Sequence, residues 1–115
     1  MFENVLFEKK GAVTTITMNR PKSLNALDSD HLADLVHALE MTADDGETRA
    51  VVLTGAGKAF CSGGDLASFR EAMDRDPADP LRQVIKLLNV AIIGIRTMGK
   101  PVIASINGAA GGGGL

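Results

Sequence analysis

Apolar residues along this chain switch between two spacings, and each switch marks an element. Val5-Leu6-Phe7 and the β-branched run Ala12–Met18 flank Lys9-Lys10-Gly11. This predicts a β-hairpin, with Gly11 free to take positive φ in the turn. Asn19-Arg20-Pro21 stops the second strand, because Pro21 has no N–H to give a ladder. Leu32, Leu35, Val36 and Leu39 then recur at three- and four-residue steps, the stripe of an amphipathic helix. Asp28 or Ser29 can cap it, and Asp30 and Asp34 lie near its positive end.

Ala50–Thr54 is a continuous apolar run suited to a buried strand, followed by the turn Gly55-Ala56-Gly57. Ala59-Phe60-Cys61 is expected to be no more than a strand end. Ser62-Gly63-Gly64-Asp65 leads into an amphipathic segment near Leu66, and Asp74–Pro80, with three Asp and two Pro, reads as an exposed loop. Helical spacing returns from Leu81 to Met98, closed by Gly99 and Pro101. Val102–Ile106 reads as a second buried strand that needs cover on both faces, followed by Asn107-Gly108 and the run Gly111–Gly114. The order β-β-α-β-(short β)-α-α-β is an α/β architecture. The chain stops one residue after four glycines, where a helix should begin, so residues 1–115 are expected to be a truncated part of one domain.

Composition narrows the partners. The 115 residues carry a net charge of −2 with no basic tract, and the four aromatics are all Phe. A nucleic-acid partner is not expected, since neither a phosphate-neutralising face nor stacking platforms are evident. Val90–Ile95 is the longest apolar stretch and is broken by Gly94, too short for a membrane span. The lone Cys61 allows no internal disulfide, and the N-terminus has no signal or transit character. A cytoplasmic location is the expectation.

The two glycine sites are the candidates for chemistry. Each follows an apolar strand and opens toward a helix start, where backbone N–H groups lack partners and the helix dipole is positive. Two such donors can converge on a developing oxyanion, although Gly-rich junctions of this kind are more often simple tight turns. His31 and His37 are six residues apart, on different faces of one helix, and fit no zinc pair. No metal is expected. Gly55-Ala56-Gly57-Lys58 has Ala59 where a phosphate loop needs Ser or Thr, and no dinucleotide fingerprint occurs, which weakens a nucleotide-binding reading. Cys61 reads as a buried, inert thiol.

Four segments in order resemble the crotonase (enoyl-CoA hydratase/isomerase) superfamily. They are the hairpin ending Asn19-Arg20-Pro21, then Asn25-Ala26-Leu27, then Phe60-Cys61-Ser62-Gly63-Gly64-Asp65-Leu66, and finally Lys100-Pro101-Val102-Ile103-Ala104 running through Asn107-Gly108 into Gly111–Gly114. The resemblance spans the whole chain and implies the N-terminal part of a crotonase-like ββα superhelix. It implies oxyanion N–H donors at Gly64 and Gly113, and a thioester and pantetheine path along Ser62, Gly63, Asp65, Leu66 and Ala67. Lys22 and Ala26 would lie near the nucleotide end of coenzyme A, although Lys22 also fits an ordinary exposed lysine and Asp65 a plain helix cap.

The implied substrate is an acyl-CoA, with coenzyme A as part of the substrate and no separate cofactor. The implied assembly is a homo-oligomer, a trimer or dimer of trimers. The general acid and base of family hydratases fall at the position after Leu115 and further on, so this stretch alone is expected to be inactive. Thioesterase, decarboxylase and dehalogenase branches share the part seen here. A non-catalytic acyl-CoA-binding or assembly subunit is the remaining alternative.

Overall fold

The computed structural model describes residues 2–73 and 79–115. The hairpin is present: β1 (Val5–Lys10) pairs antiparallel with β2 (Val13–Met18), and Gly11 turns at φ 61°. Alternation along β2 puts Thr14, Ile16 and Met18 inside. A short 3-10 turn at Pro21–Ser23 follows, with Leu24 and Asn25 at φ 54° and 56°. Helix α1 (Ser29–Asp44) then starts from the Asp28 cap, whose Oδ1 accepts from the His31 N–H at 2.8 Å. Its predicted stripe is the buried one at Leu32, Leu35 and Leu39. α1 supplies the crossover that parallel pairing requires, so β3 (Ala50–Gly55) returns alongside β2.

β5 (Val102–Ala104) adds parallel to β3, giving the sheet order β1-β2-β3-β5. Between them come α2 (Leu66–Met73) and α3 (Asp79–Thr97), and α3 packs on α1. Side chains from the sheet and α1 form one core around Ile16, Leu32, Leu35, Val51 and Phe60.

Three expectations change. Ala59–Cys61 is a strand in its own right, β4, buried at all three residues. It pairs parallel with β6 (Ala109–Ala110) in a separate two-stranded sheet. A three-residue run has no readable period, and its partner lies some fifty residues on. Val102–Ile106 is not a strand buried on both faces: only Val102–Ala104 is strand, with Ile103 55% and Ile106 63% exposed. β5 is a sheet edge, and the space between it and α3 is an open apolar cleft of about 370 Å³ rather than packed contact. The exposed loop expected over Asp74–Pro80 falls mostly on residues 74–78, outside those described; Asp79 and Pro80 open α3, where a first-turn proline sacrifices no hydrogen bond. The glycine run forms a 3-10 turn, Gly112–Gly114.

Candidate functional site

β4 leads directly into Ser62-Gly63-Gly64, and Asp65 starts α2 by accepting from the Ser68 N–H at 3.1 Å. The segment after the 3-10 turn lies beside this loop like a short strand. Ser62 N–H donates to the Leu24 carbonyl (3.0 Å), Leu27 N–H to Gly63 (2.7 Å), and Asp65 N–H back to Leu27 (3.0 Å). Leu27 and Gly64 thereby form a parallel bridge.

The second glycine run closes on the first from the other side. Gly111 N–H donates to the Cys61 carbonyl at 3.0 Å. Gly63 sits at φ +109°, and a Cβ there would stand 3.0 Å from the Gly111 carbonyl oxygen. Only glycine fits that combination of backbone conformation and close approach. Neither Gly64 N–H nor Gly113 N–H donates to a backbone carbonyl among the described residues. Two unspent donors thus sit on neighbouring turns, each turn held by its flanking hydrogen bonds. Gly113 also borders the apolar cleft, together with Leu27, Phe60, Leu88 and Ile95.

The remaining predicted residues separate into two groups. Ser62, Gly63, Asp65, Leu66 and Ala67 are contiguous with the Gly64 turn, and Leu66 is 78% exposed at the start of α2. Ala26 is buried beside the same loop, its carbonyl engaged by both Arg20 and His31, whereas Lys22 stands exposed on the 3-10 turn. Cys61 is buried, and burial raises its thiol pKa, which keeps it a poor nucleophile. Among the described residues no group of three or more His, Cys, Asp or Glu comes together as a metal site.

Sequence reasoning missed the polar network behind the Gly64 turn. Arg20 donates Nη1 to the Ala26 carbonyl (2.6 Å) and Nη2 to Asp65 Oδ2 (3.1 Å), with Asp28 Oδ2 at 3.4 Å. Fully buried Asn25 accepts from the Arg20 N–H (2.8 Å) and donates to the Ala56 and Ala59 carbonyls (3.0 and 2.9 Å). His31 Nδ1 lies 2.8 Å from the Ala26 carbonyl, which makes Nδ1 the protonated nitrogen. Nε2 is buried with no partner among the described residues, and burial lowers the ring pKa. Asn19-Arg20-Pro21 and Asn25-Ala26-Leu27 stand out in the sequence as motifs of the resemblance, but nothing in their spacing points to these contacts.

A mixed sheet with helical cover and two adjoining glycine turns, the second of them beside an apolar cleft, defines an α/β protein. Family comparison agrees with that class. Residues 8–115 match the enoyl-CoA hydratase/isomerase family, and the chain belongs to it. It is 41% identical over 112 residues to a short-chain-enoyl-CoA hydratase of Clostridium acetobutylicum, covering 96% of this chain and 41% of that protein. It is 42% identical over 116 residues to a mitochondrial 3-hydroxyisobutyryl-CoA hydrolase of Danio rerio, covering 96% and 29%. A crystal structure of an enoyl-CoA hydratase/isomerase from Xanthobacter autotrophicus Py2 superposes with a TM-score of 0.90 at 33% identity, covering 99% of this chain and 42% of that one. The chain therefore spans less than half the length of these relatives, and its fold is the corresponding part of the crotonase core.

Proposed function

We propose that these residues are the N-terminal portion of one crotonase-like domain, in an enzyme that stabilises the enolate of an acyl-CoA thioester. The reaction is hydration of a 2-enoyl-CoA or isomerisation of an enoyl-CoA. The observation that carries this reading is the convergence of the Gly63-Gly64 and Gly111–Gly113 turns, with the Gly64 and Gly113 N–H groups unclaimed by backbone carbonyls among the described residues. A thioester oxygen between those donors gains most when it becomes an oxyanion, so the interaction favours the transition state over the ground state. Each donor of this kind is worth roughly 2.7–4 kcal/mol.

In this reading Ser62, Gly63, Asp65, Leu66 and Ala67 line the thioester and pantetheine path. Lys22 and Ala26 lie toward the nucleotide end, where the exposed ammonium can meet a phosphate. Coenzyme A enters as part of the substrate, and no other cofactor is needed. The groups that move protons are assigned beyond this stretch, since no Asp or Glu occurs from Lys100 to Leu115. A cytoplasmic homotrimer or dimer of trimers, with no nucleic-acid or membrane partner, completes the proposal; among the described residues no helix is long and apolar enough to cross a membrane. The likeness to the Danio rerio hydrolase favours thioester hydrolysis as the second reading.

The test compares Gly64→Pro with Gly64→Ala in the intact protein, using crotonyl-CoA as substrate. Both place a Cβ about where Phe69 Cε2 stands 2.7 Å away, but only proline removes the N–H. Proline should lower kcat a further 10²-fold or so relative to alanine. Equal turnover by two folded variants would remove Gly64 from the oxyanion site.

A further inference from the structure

The geometry points to Arg20 as a positioning residue for the Gly64 donor. Gly64 has no side chain, and its N–H makes no backbone bond among the described residues, so its direction is set by its neighbours. The following residue, Asp65, is held three ways: its N–H donates to Leu27, its Oδ1 accepts from Ser68, and its Oδ2 accepts from Arg20. Leu27 on the other side of the bridge follows Ala26, whose carbonyl receives the second arm of the same guanidinium.

Arg20 therefore grips both strands of the Leu27–Gly64 bridge at once. Its own backbone is tied to the same segment: the N–H reaches Asn25 Oδ1, and the carbonyl accepts from the Ser23 and Asn25 N–H groups. Its side chain is only 19% exposed, so these contacts are shielded from competing water. The planar fork makes two diverging bonds that an ammonium cannot reproduce in the same geometry. A backbone donor loses most of its effect when misplaced by about 1 Å, and no side chain of Gly64 can correct such a drift.

Arg20 has an electrostatic effect in the same place. It stands between Asp65 and Asp28, at 3.1 and 3.4 Å, and balances carboxylates beside the turn where an oxyanion would form. Without it, Asp65, the residue after Gly64, and Asp28 lose the cation they share. Burying the donor network without the cation would weaken the donor even if its direction survived.

What the donor does rests on the acyl-thioester reading, whereas the grip itself does not, and the experiment separates them. Amide hydrogen exchange in the intact protein reports the Leu27 and Asp65 N–H groups, with the Val51 N–H, bonded to the Pro101 carbonyl, as internal reference. In Arg20→Met the first two amides should exchange about tenfold faster or more while Val51 keeps its rate. Arg20→Lys should leave them fast, because charge without the fork is not enough. With crotonyl-CoA, kcat should fall about tenfold or more with KM within about twofold, a partial loss of one oxyanion donor. Asp65→Asn keeps the Ser68 acceptor and loses the ion pair; it should shift kcat in the same direction, and adding Arg20→Met should cost less than the two separate losses multiplied. If Arg20→Met does not fold, Asp65→Asn alone decides by the same exchange measurement. Unchanged exchange at Leu27 and Asp65 overturns the inference. So does a lysine variant that restores both exchange and kcat. A wild-type protein that turns over no acyl-CoA would refute the functional reading while leaving the exchange result to decide the grip.

Discussion

Thr48 has one hydroxyl proton, and it goes to Asp45 Oδ2 at 2.8 Å. Buried Thr14, 2.8 Å from the same hydroxyl, must therefore donate its own proton to Thr48. Asp45 also holds Lys9 at 2.9 Å, and these contacts, Lys9 first, bring its pKa down to about 2. Because the folded pKa lies below the ordinary 3.8, Asp45 contributes stability above that value and loses it as the pH falls toward 2. Thr48→Val should cost about 1–3 kcal/mol in urea unfolding, since it leaves the Thr14 hydroxyl buried without its acceptor; an unchanged midpoint would show that the pair contributes nothing. His31 titrates with the opposite charge. Burial lowers its pKa below 6.5, so the unfolded chain binds the proton more readily than the folded one. Stability should drop as the pH falls below about 6.5, and His31→Gln should remove that part of the slope. A slope that survives the substitution would assign it to other groups.

At the level of elements, helix α1 ends unfavourably by its own sequence. Its last turn has no basic residue and runs into Asp44-Asp45, placing negative charge at the negative end of the dipole. The missing cation arrives from elsewhere: Lys100 Nζ donates to the Thr42 carbonyl (2.6 Å) and to the Asp45 carbonyl (2.5 Å). Pro101 follows directly, and its carbonyl accepts from Val51, so the tie also aligns β5 with β3. Replacing Lys100 by Met should cost about 1.5–3 kcal/mol, the range for hydrogen bonds from a charged group. Differential scanning calorimetry of the variant would show it, and a melting temperature equal to wild type would argue against the tie. The longer elements themselves were legible in the β-branched run that forms β2 and in the spacing of Leu32, Leu35 and Leu39 on α1. β4 was legible only as a short strand end and β6 not at all, because strands of three and two residues have no period and exist by pairing with each other.

Across the whole molecule, apolar surface is unevenly covered. Next to α1 the sheet is packed, whereas at its β5 edge, facing α3, Ile92 and Ile106 remain 46% and 63% exposed around the cleft. Monomeric surfaces rarely leave such residues contiguous. Residues 1–115 produced alone should therefore bind an apolar dye and aggregate without a defined stoichiometry, and should not turn over crotonyl-CoA. A monodisperse, dye-silent preparation of the 115 residues would contradict this.

Local physics reads well from the order of residues alone. Spacing marks which face of a helix or strand is apolar, Pro21 and Gly99 mark where elements stop, and the ordered glycine motifs identify the family and the two candidate donors. Each of these depends on neighbours within a few positions. What holds the Gly64 turn and the end of α1 depends on residues far apart: Arg20 meets Asp65 across 45 positions, and Lys100 meets Thr42 across 58. Only the tertiary pairing, β5 returning beside β3 and Leu27 bridging to Gly64, brings such groups within hydrogen-bond reach. Their burial then makes the contacts strong enough to fix the direction of an otherwise unsupported glycine N–H.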